Sequence, residues 1–254
     1  MEAGTDAIYR PPESDLGRPA EGGGNFGSLE KGLGGDFEFS ISEILSEAWE
    51  LTSGSKGAII GGFAIYMAIS AVANLASVAV TGIDPEANVG SSREILGVAI
   101  ETLGFVLIYP LLAGIMLYSI KRAAGDPAAA FSDNFACYDR TFSIIGLLIV
   151  QTVLVLLGML LFIIPGIYLS VAYGLAFPLL VEKNMGVWEA LETSRKAVTQ
   201  CWFRFWGLWI VMSVIALGGT VVTLGIGLIW LGPMAMLCFG VAYRNIFGYE
   251  GARA

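Results

Sequence analysis

From residue 142 to residue 181 the chain runs FSIIGLLIVQTVLVLLGMLLFIIPGIYLSVAYGLAFPLLV, forty residues without one Asp, Glu, Lys or Arg. One membrane crossing needs about 20 apolar residues, and Pro165-Gly166 falls where a helix has to stop and turn. The stretch therefore reads as two crossings joined by a tight hairpin. A soluble core helix keeps a polar face for water, whereas in lipid a helix satisfies its own backbone and needs none.

The rest of the chain agrees. Of 254 residues, 56% are hydrophobic and only 14% charged, below the roughly 25% charged of soluble domains, and the mean hydropathy is +0.71. Further apolar runs predict an all-α integral membrane protein of six transmembrane helices in three hairpins, with spans at about 57–80, 94–120, 142–164, 167–181, 203–224 and 228–247. Each hairpin is preceded by a short amphipathic interfacial helix. The first opens at Phe39-Ser40-Ile41-Ser42-Glu43-Ile44, a capping box with a hydrophobic staple, and sets Ile41, Ile44, Leu45, Ala48 and Thr52 on one face against Ser42, Glu43, Ser46, Glu47 and Glu50 on the other. The second starts at Asp126-Pro127 and carries Ala128, Phe131, Phe135, Tyr138 and Phe142 at helical spacing. In the third, Val187, Ala190, Leu191, Ser194, Ala197, Val198 and Cys201 oppose Glu189, Glu192, Arg195, Lys196 and Gln200. A short C-terminal tail, 250–254, closes the chain.

Residues 1–39 are glycine-rich, proline-containing and acidic, with too few apolar groups to offset the entropy of ordering. They are expected to form a disordered cytoplasmic tail. They lack the basic start and apolar core of a signal peptide. Ala7 to Leu16, with Tyr9-Arg10-Pro11-Pro12, is an extended stretch that suits docking to a cytoplasmic protein partner, the plainer reading being linker.

Charge is unevenly spread: of the net -8, residues 1–56 contribute eleven acids against four bases. With no basic patch, nucleic acid is not expected as a partner; the lipid bilayer is. Six crossings put thirteen of the fourteen basic residues on one side, leaving Arg93 alone on the other. That asymmetry makes both termini cytoplasmic. Trp202, Trp206, Trp209, Tyr118, Tyr138 and Tyr243 fall near that boundary as an aromatic belt, with Trp230 near the opposite one. Sliding the chain by 146 residues puts Ile41, Glu43, Leu45 and Gly61 over Val187, Glu189, Leu191 and Gly207, a weak repeat of the helix-plus-hairpin unit.

Chemistry-bearing groups are few. The chain has no histidine, which removes the commonest metal ligand and general base. Cys137, Cys201 and Cys238 are too widely spaced to suggest a disulfide framework. No catalytic residue, metal site or cofactor is expected. Glu101 is the one acid deep in a crossing, with Asn74 at similar depth on the first span and Gln151 near the middle of the third. An intramembrane carboxylate is a functional candidate, and a transporter would gather these three at a polar cavity. The alternative is snorkelling by Glu101 and interhelical bonding by the amides. Gly57, Gly61, Gly114, Gly158, Gly174, Gly207, Gly218, Gly219 and Gly240 read as close-packing positions, Gly57 with Gly61 forming a small-xxx-small pair. On Trp188 to Lys196, Glu192 is spaced to pair with Arg195 or Lys196.

Ile164-Pro165-Gly166-Ile167, Glu189-Ala190-Leu191 followed by Ser194-Arg195-Lys196, Trp202-Phe203-Arg204-Phe205-Trp206 and Tyr243-Arg244-Asn245 together resemble a family of uncharacterised bacterial inner-membrane proteins. That family is similar to the membrane domain accompanying some glycerophosphodiester phosphodiesterases. The resemblance extends to Phe39–Trp49 and the Tyr-Arg-Pro-Pro leader. It implies the fold and a bacterial inner membrane; the phosphodiesterase's catalytic barrel has no counterpart, so it implies no active-site residue. Three functions are weighed: a membrane anchor, scaffold or interaction protein without a catalytic site; a small-solute transporter or channel using Glu101; and, on the resemblance alone, a lipid-active membrane enzyme.

Overall fold

The structure, a computed structural model, describes residues 26–82 and 90–251. The docking stretch Ala7 to Leu16 and the loop dipeptide Asp84-Pro85 lie outside the described residues. Nine α-helices follow in order among the described residues: α1 (Leu29–Gly34), α2 (Ile41–Thr81), α3 (Ser92–Ala123), α4 (Thr141–Leu161), α5 (Ile163–Ala172), α6 (Ala176–Glu182), α7 (Val187–Gln200), α8 (Trp202–Val222) and α9 (Leu228–Phe247). Two 3-10 turns, Phe131–Phe135 and Tyr138–Arg140, connect α3 to α4. Among the described residues, five segments are long and apolar enough to cross a membrane: α2, α3, Phe131–Leu161, Ile163–Glu182 and α8. α9, the sixth span expected from sequence, is 20 residues long but is not among them; Pro233, Arg244 and Asn245 make it more polar.

The outward surface is what lipid requires. Leu160, Leu161, Phe162, Ile163 and Ile164 at the α4–α5 turn, and Val214, Leu217, Val221 and Val222 along α8, are all exposed. The core lies where the first half of α2, the second half of α3, α6, α7 and α9 converge, with Tyr243, Phe205, Phe247, Ile44, Leu111 and Ile115 fully buried there.

The first interfacial helix is not separate from the first span. α2 runs unbroken for 41 residues, about 60 Å at 1.5 Å per residue and roughly twice the hydrocarbon thickness of a bilayer. Nothing between Thr52 and Gly57 breaks it, because Ser53, Gly54 and Ser55 tolerate a helix and Thr52 and Ser55 return their hydroxyls to the carbonyls of Ala48 and Leu51 at 2.7 and 2.8 Å. Ile44, Ala48 and Thr52 face the core as expected. The capping box does not form: Ser40 makes no side-chain cap bond and its hydroxyl lies 3.2 Å from that of Ser42. Phe39 is buried, its ring against Phe205 at 6.1 Å.

The second half of α2 packs on α3 through small residues, Gly104 against the Ala73 methyl and Gly97 against Ser77 and Thr81. This seam is not the Gly57/Gly61 pair. Gly57 faces open space and Gly61 faces the Phe131 ring. α3 runs through Pro110 without a break, and the carbonyl of Leu107, one turn earlier, accepts from the Tyr138 hydroxyl at 2.9 Å.

The second interfacial helix is replaced by the two 3-10 turns, inverted relative to expectation. Phe131 and Phe135 are exposed, while Asp133 and Asn134 are buried. The polar pair turns inward because it finds partners there: Asp133 pairs with Lys121 at 2.6 Å, and the Asn134 amide donates to the Ala58 carbonyl at 3.0 Å. Gly114 makes room, since a β-carbon there would strike the Asn134 backbone.

The α4–α5 turn falls at Phe162, three residues before Pro165, which sits in the first turn of α5 where no amide donor is needed. Gly158 and Gly166 bring the two helices together. The fourth span is itself broken at Tyr173-Gly174-Leu175, between α5 and α6. Ser194 repairs the break, donating to the Ala172 carbonyl at 2.8 Å and accepting from the Leu175 amide at 3.1 Å. α7 forms as expected and buries Ala190, Leu191, Ser194, Ala197 and Val198. It lies lengthwise along the hairpin, Val187 beside Gly146 and Thr199 bonded to Tyr168 at 2.7 Å.

The α8–α9 turn uses left-handed backbone at Leu224 and Gly225, φ 51° and 92°, while the Thr223 hydroxyl accepts from the Gly227 amide at 2.7 Å. Of residues 1–39, expected to form a tail, the structure describes those from 26 on. α1 docks on the end of α9, the Gly27 amide donates to the Arg244 carbonyl at 3.2 Å, and Gly248 packs on Gly27. The two ends of the described chain therefore lie together. Two contacts do not fit six end-to-end crossings. Tyr168, expected near the outer end of the fourth span, bonds Thr199, and the Lys56 ammonium, expected at the inner face, sits 5.0 Å over the ring of Trp230, expected at the outer one.

Candidate functional site

Glu101 and Asn74 are brought together. With Tyr66, Ser70, Gly104 and Tyr109 they line a groove of about 310 Å³ between α2 and α3. Both residues are exposed, on the outward side of the helix pair. Gln151 does not join them. It lies with Ser170, Tyr173, Phe177 and Trp209 in a second groove of about 340 Å³ that meets the first only at Tyr109 and Leu112. Depth along a span is readable from sequence; azimuth about the helix is not, and α4 meets α3 along Thr102, Phe105, Val106 and Tyr109, beside the Glu101 groove and not in it.

The polar chemistry concentrates elsewhere, in a collar where the start of α2 meets the ends of α3, α6 and α9. Buried Arg244 is its centre. Its guanidinium holds both oxygens of Glu47, one at 2.7 Å, together with the Ala123 carbonyl and Asn245 Oδ1 at 2.8 Å, and the Phe26 ring covers it at 4.4 Å. A planar guanidinium with five donors in a fixed fork suits this set of acceptors, which an ammonium does not. Around it, Lys121 pairs with Asp133, whose second oxygen accepts from the Ala130 amide at 2.9 Å. Glu182 accepts from the Tyr243 hydroxyl at 2.6 Å and the Glu250 amide at 3.0 Å. Lys183 lies between Glu182 and Glu250 at 3.5 and 3.2 Å. Arg122 reaches Ser55 at 3.1 Å, and Arg140 donates to the Leu180 carbonyl at 2.9 Å.

The collar also fastens the chain's end. The Tyr249 hydroxyl donates to Asp126 at 2.7 Å; that bond holds the Asp126 carboxyl below its ordinary value, while burial and the same partner push Tyr249 up. From sequence, Lys121, Arg122, Arg140, Lys183 and Arg244 counted only among the thirteen basic residues on one side and were given no partner. One signal was available: Arg244 lies in the last turn of an otherwise apolar helix, where a cation satisfies helix-end carbonyls.

On α7, Glu192 takes both donors of Arg195, at 2.9 and 2.8 Å, and lies 3.5 Å from Lys196, as the spacing implies. Arg195 lowers the Glu192 carboxyl. The three cysteines are free and buried, burial pushing the Cys201 thiol up to about 11. Among the described residues no group of three His, Cys, Asp or Glu side chains is placed to hold a metal ion. No family model matches the chain, and no solved structure matches it.

Proposed function

We propose that this is a bacterial inner-membrane protein that acts as an anchor or scaffold, holding a cytoplasmic partner through its acidic N-terminal tail. One observation carries the reading. The charged groups of the collar are spent on one another and on helix ends, fixing a frame from which the tail emerges beside the end of α9. The adjacency of Gly27 and Gly248 supports an even number of membrane passages with both ends cytoplasmic. The threading we read is six apolar helical segments in three hairpins, not all of which cross end to end. The Tyr168–Thr199 bond draws the α4–α5 turn toward the α7–α8 junction, and Lys56 over Trp230 draws the α8–α9 turn toward the first half of α2, so these two hairpins enter and leave on the cytoplasmic side. The likeness to the membrane domain beside glycerophosphodiester phosphodiesterases is part of the same proposal and assigns no catalysis.

Removing residues 1–25, which leaves α1 in place, tests the scaffold. The shortened protein is expected to insert normally and to lose proteins that cross-link to the full chain in cells. An unchanged cross-linking pattern contradicts it. A second reading, a small-solute transporter, is favoured only by the placement of Glu101 and Asn74 in one groove. It requires solute uptake into proteoliposomes that Glu101→Gln abolishes.

A further inference from the structure

A further groove, separate from the one that holds Glu101, lies where α5, the end of α7 and the start of α8 meet. It measures about 660 Å³. Ile164, Ile167 and Phe203 give it apolar walls, and Thr199, Gln200 and Arg204 form its polar side. The hydroxyls there are tied down: Tyr168 and Thr199 lie 2.7 Å apart, and Thr199 donates to the Arg195 carbonyl at 2.5 Å. Trp202 braces the wall, its indole donating to the Tyr168 carbonyl at 3.2 Å and its ring stacking on Trp206 at 5.5 Å. Arg204 is different. Every other cation nearby is matched, Arg195 and Lys196 by Glu192, yet Arg204 is exposed and has no acidic partner among the described residues. Beside it, the first-turn amides of α8 have no side-chain cap.

We propose that this groove binds one anionic phospholipid, its phosphate on Arg204 and its acyl chain along Ile164, Ile167 and Phe203. The proposal rests on the membrane reading above. An unmatched guanidinium at the mouth of an apolar slot, in an interfacial cluster of Trp and Tyr, is complementary to a molecule carrying a phosphate at one end and hydrocarbon at the other. A phosphate alone leaves the apolar walls unfilled. A zwitterionic lipid fills them but gives the guanidinium no net charge.

Full-length protein extracted in detergent is examined by native mass spectrometry with dioleoyl phosphatidylglycerol and with dioleoyl phosphatidylcholine. One phosphatidylglycerol per chain is expected to be held about five- to ten-fold more tightly than phosphatidylcholine, the size expected for one cation against one anionic headgroup. Arg204→Gln should erase that preference, whereas Lys56→Gln, at Trp230, should leave it. Ile167→Glu, with its folding verified by melting temperature, should weaken retention of both lipids. Millimolar inorganic phosphate should leave the adduct in place. Equal retention of the two lipids, an undiminished preference in Arg204→Gln, or displacement by phosphate overturns the proposal. Recovery of the protein in the soluble fraction without detergent instead overturns the membrane reading.

Discussion

Arg244→Ala is expected to lower the melting midpoint of the detergent-purified protein by roughly 5 to 10 °C. Removing one partner of a buried ion pair costs about 3–5 kcal/mol. The Glu47 side chain is 38% exposed, and that solvation reduces the loss to about 2–3 kcal/mol, at roughly 2–4 °C per kcal/mol for a chain of this size. The alanine also strips the Ala123 carbonyl and Asn245 of a donor. Arg244→Lys should fall between, because an ammonium cannot reproduce the fork on Glu47. Replacing both partners, Arg244→Met with Glu47→Leu, should recover part of the loss, since no charge is left stranded. A melting curve for Arg244→Ala that overlays the parent would show that the collar does not hold α2, α3 and α9 together.

Gly240→Leu should prevent assembly outright. A β-carbon at Gly240 would run into the Ser119 carbonyl group and come within 3.1 Å of the Ile120 amide. Those atoms belong to the backbone of a buried helix and cannot swing aside. Even Gly240→Ala forces α9 away from α3, an overpacking cost of about 1–3 kcal/mol. Gly218→Ala is the matched control, because nothing lies within 4 Å of its added carbon. In a helix that change is worth roughly 0.5–1 kcal/mol in favour of alanine. Size-exclusion profiles of the three variants check the contrast: an aggregated Gly240→Leu, a destabilised Gly240→Ala and an undisturbed Gly218→Ala.

Gly218 and Gly240 carry the same letter and lie in neighbouring apolar helices, so sequence offered no reason to separate them. The difference lies in which backbone crosses nearby, a tertiary fact. The same limit explains Gln151, an intramembrane amide like Asn74, which faces another groove. Helix existence was legible because uncharged length and 3.6-residue periodicity are properties of the chain itself. The buried stripe of α7 was visible for that reason.

Two kinds of boundary were not legible. Where a helix should have stopped, between Thr52 and Gly57, local propensity permitted continuation, and packing on α9 and α3 favoured it. Where one should have run on, through Tyr173 and Gly174, Ser194 of another helix supplied the missing hydrogen bonds. The turns at Phe131–Arg140 reversed their expected face because Lys121 and the Ala58 carbonyl reward buried polar groups more than a loop buries two phenylalanines. The weak repeat meets the same obstacle: α2 is continuous where α7 and α8 break at Cys201.

The most direct test of the central claim, a polypeptide embedded in lipid with its ends on one side, is tag accessibility in intact and permeabilised bacterial cells. Tags are placed at the N-terminus, at the C-terminus and in the loop between α2 and α3. Both terminal tags should react only after permeabilisation, the loop tag should react in intact cells, and the protein should leave the membrane fraction only with detergent. Terminal tags that react in different compartments, or a protein that remains soluble without detergent, would contradict it.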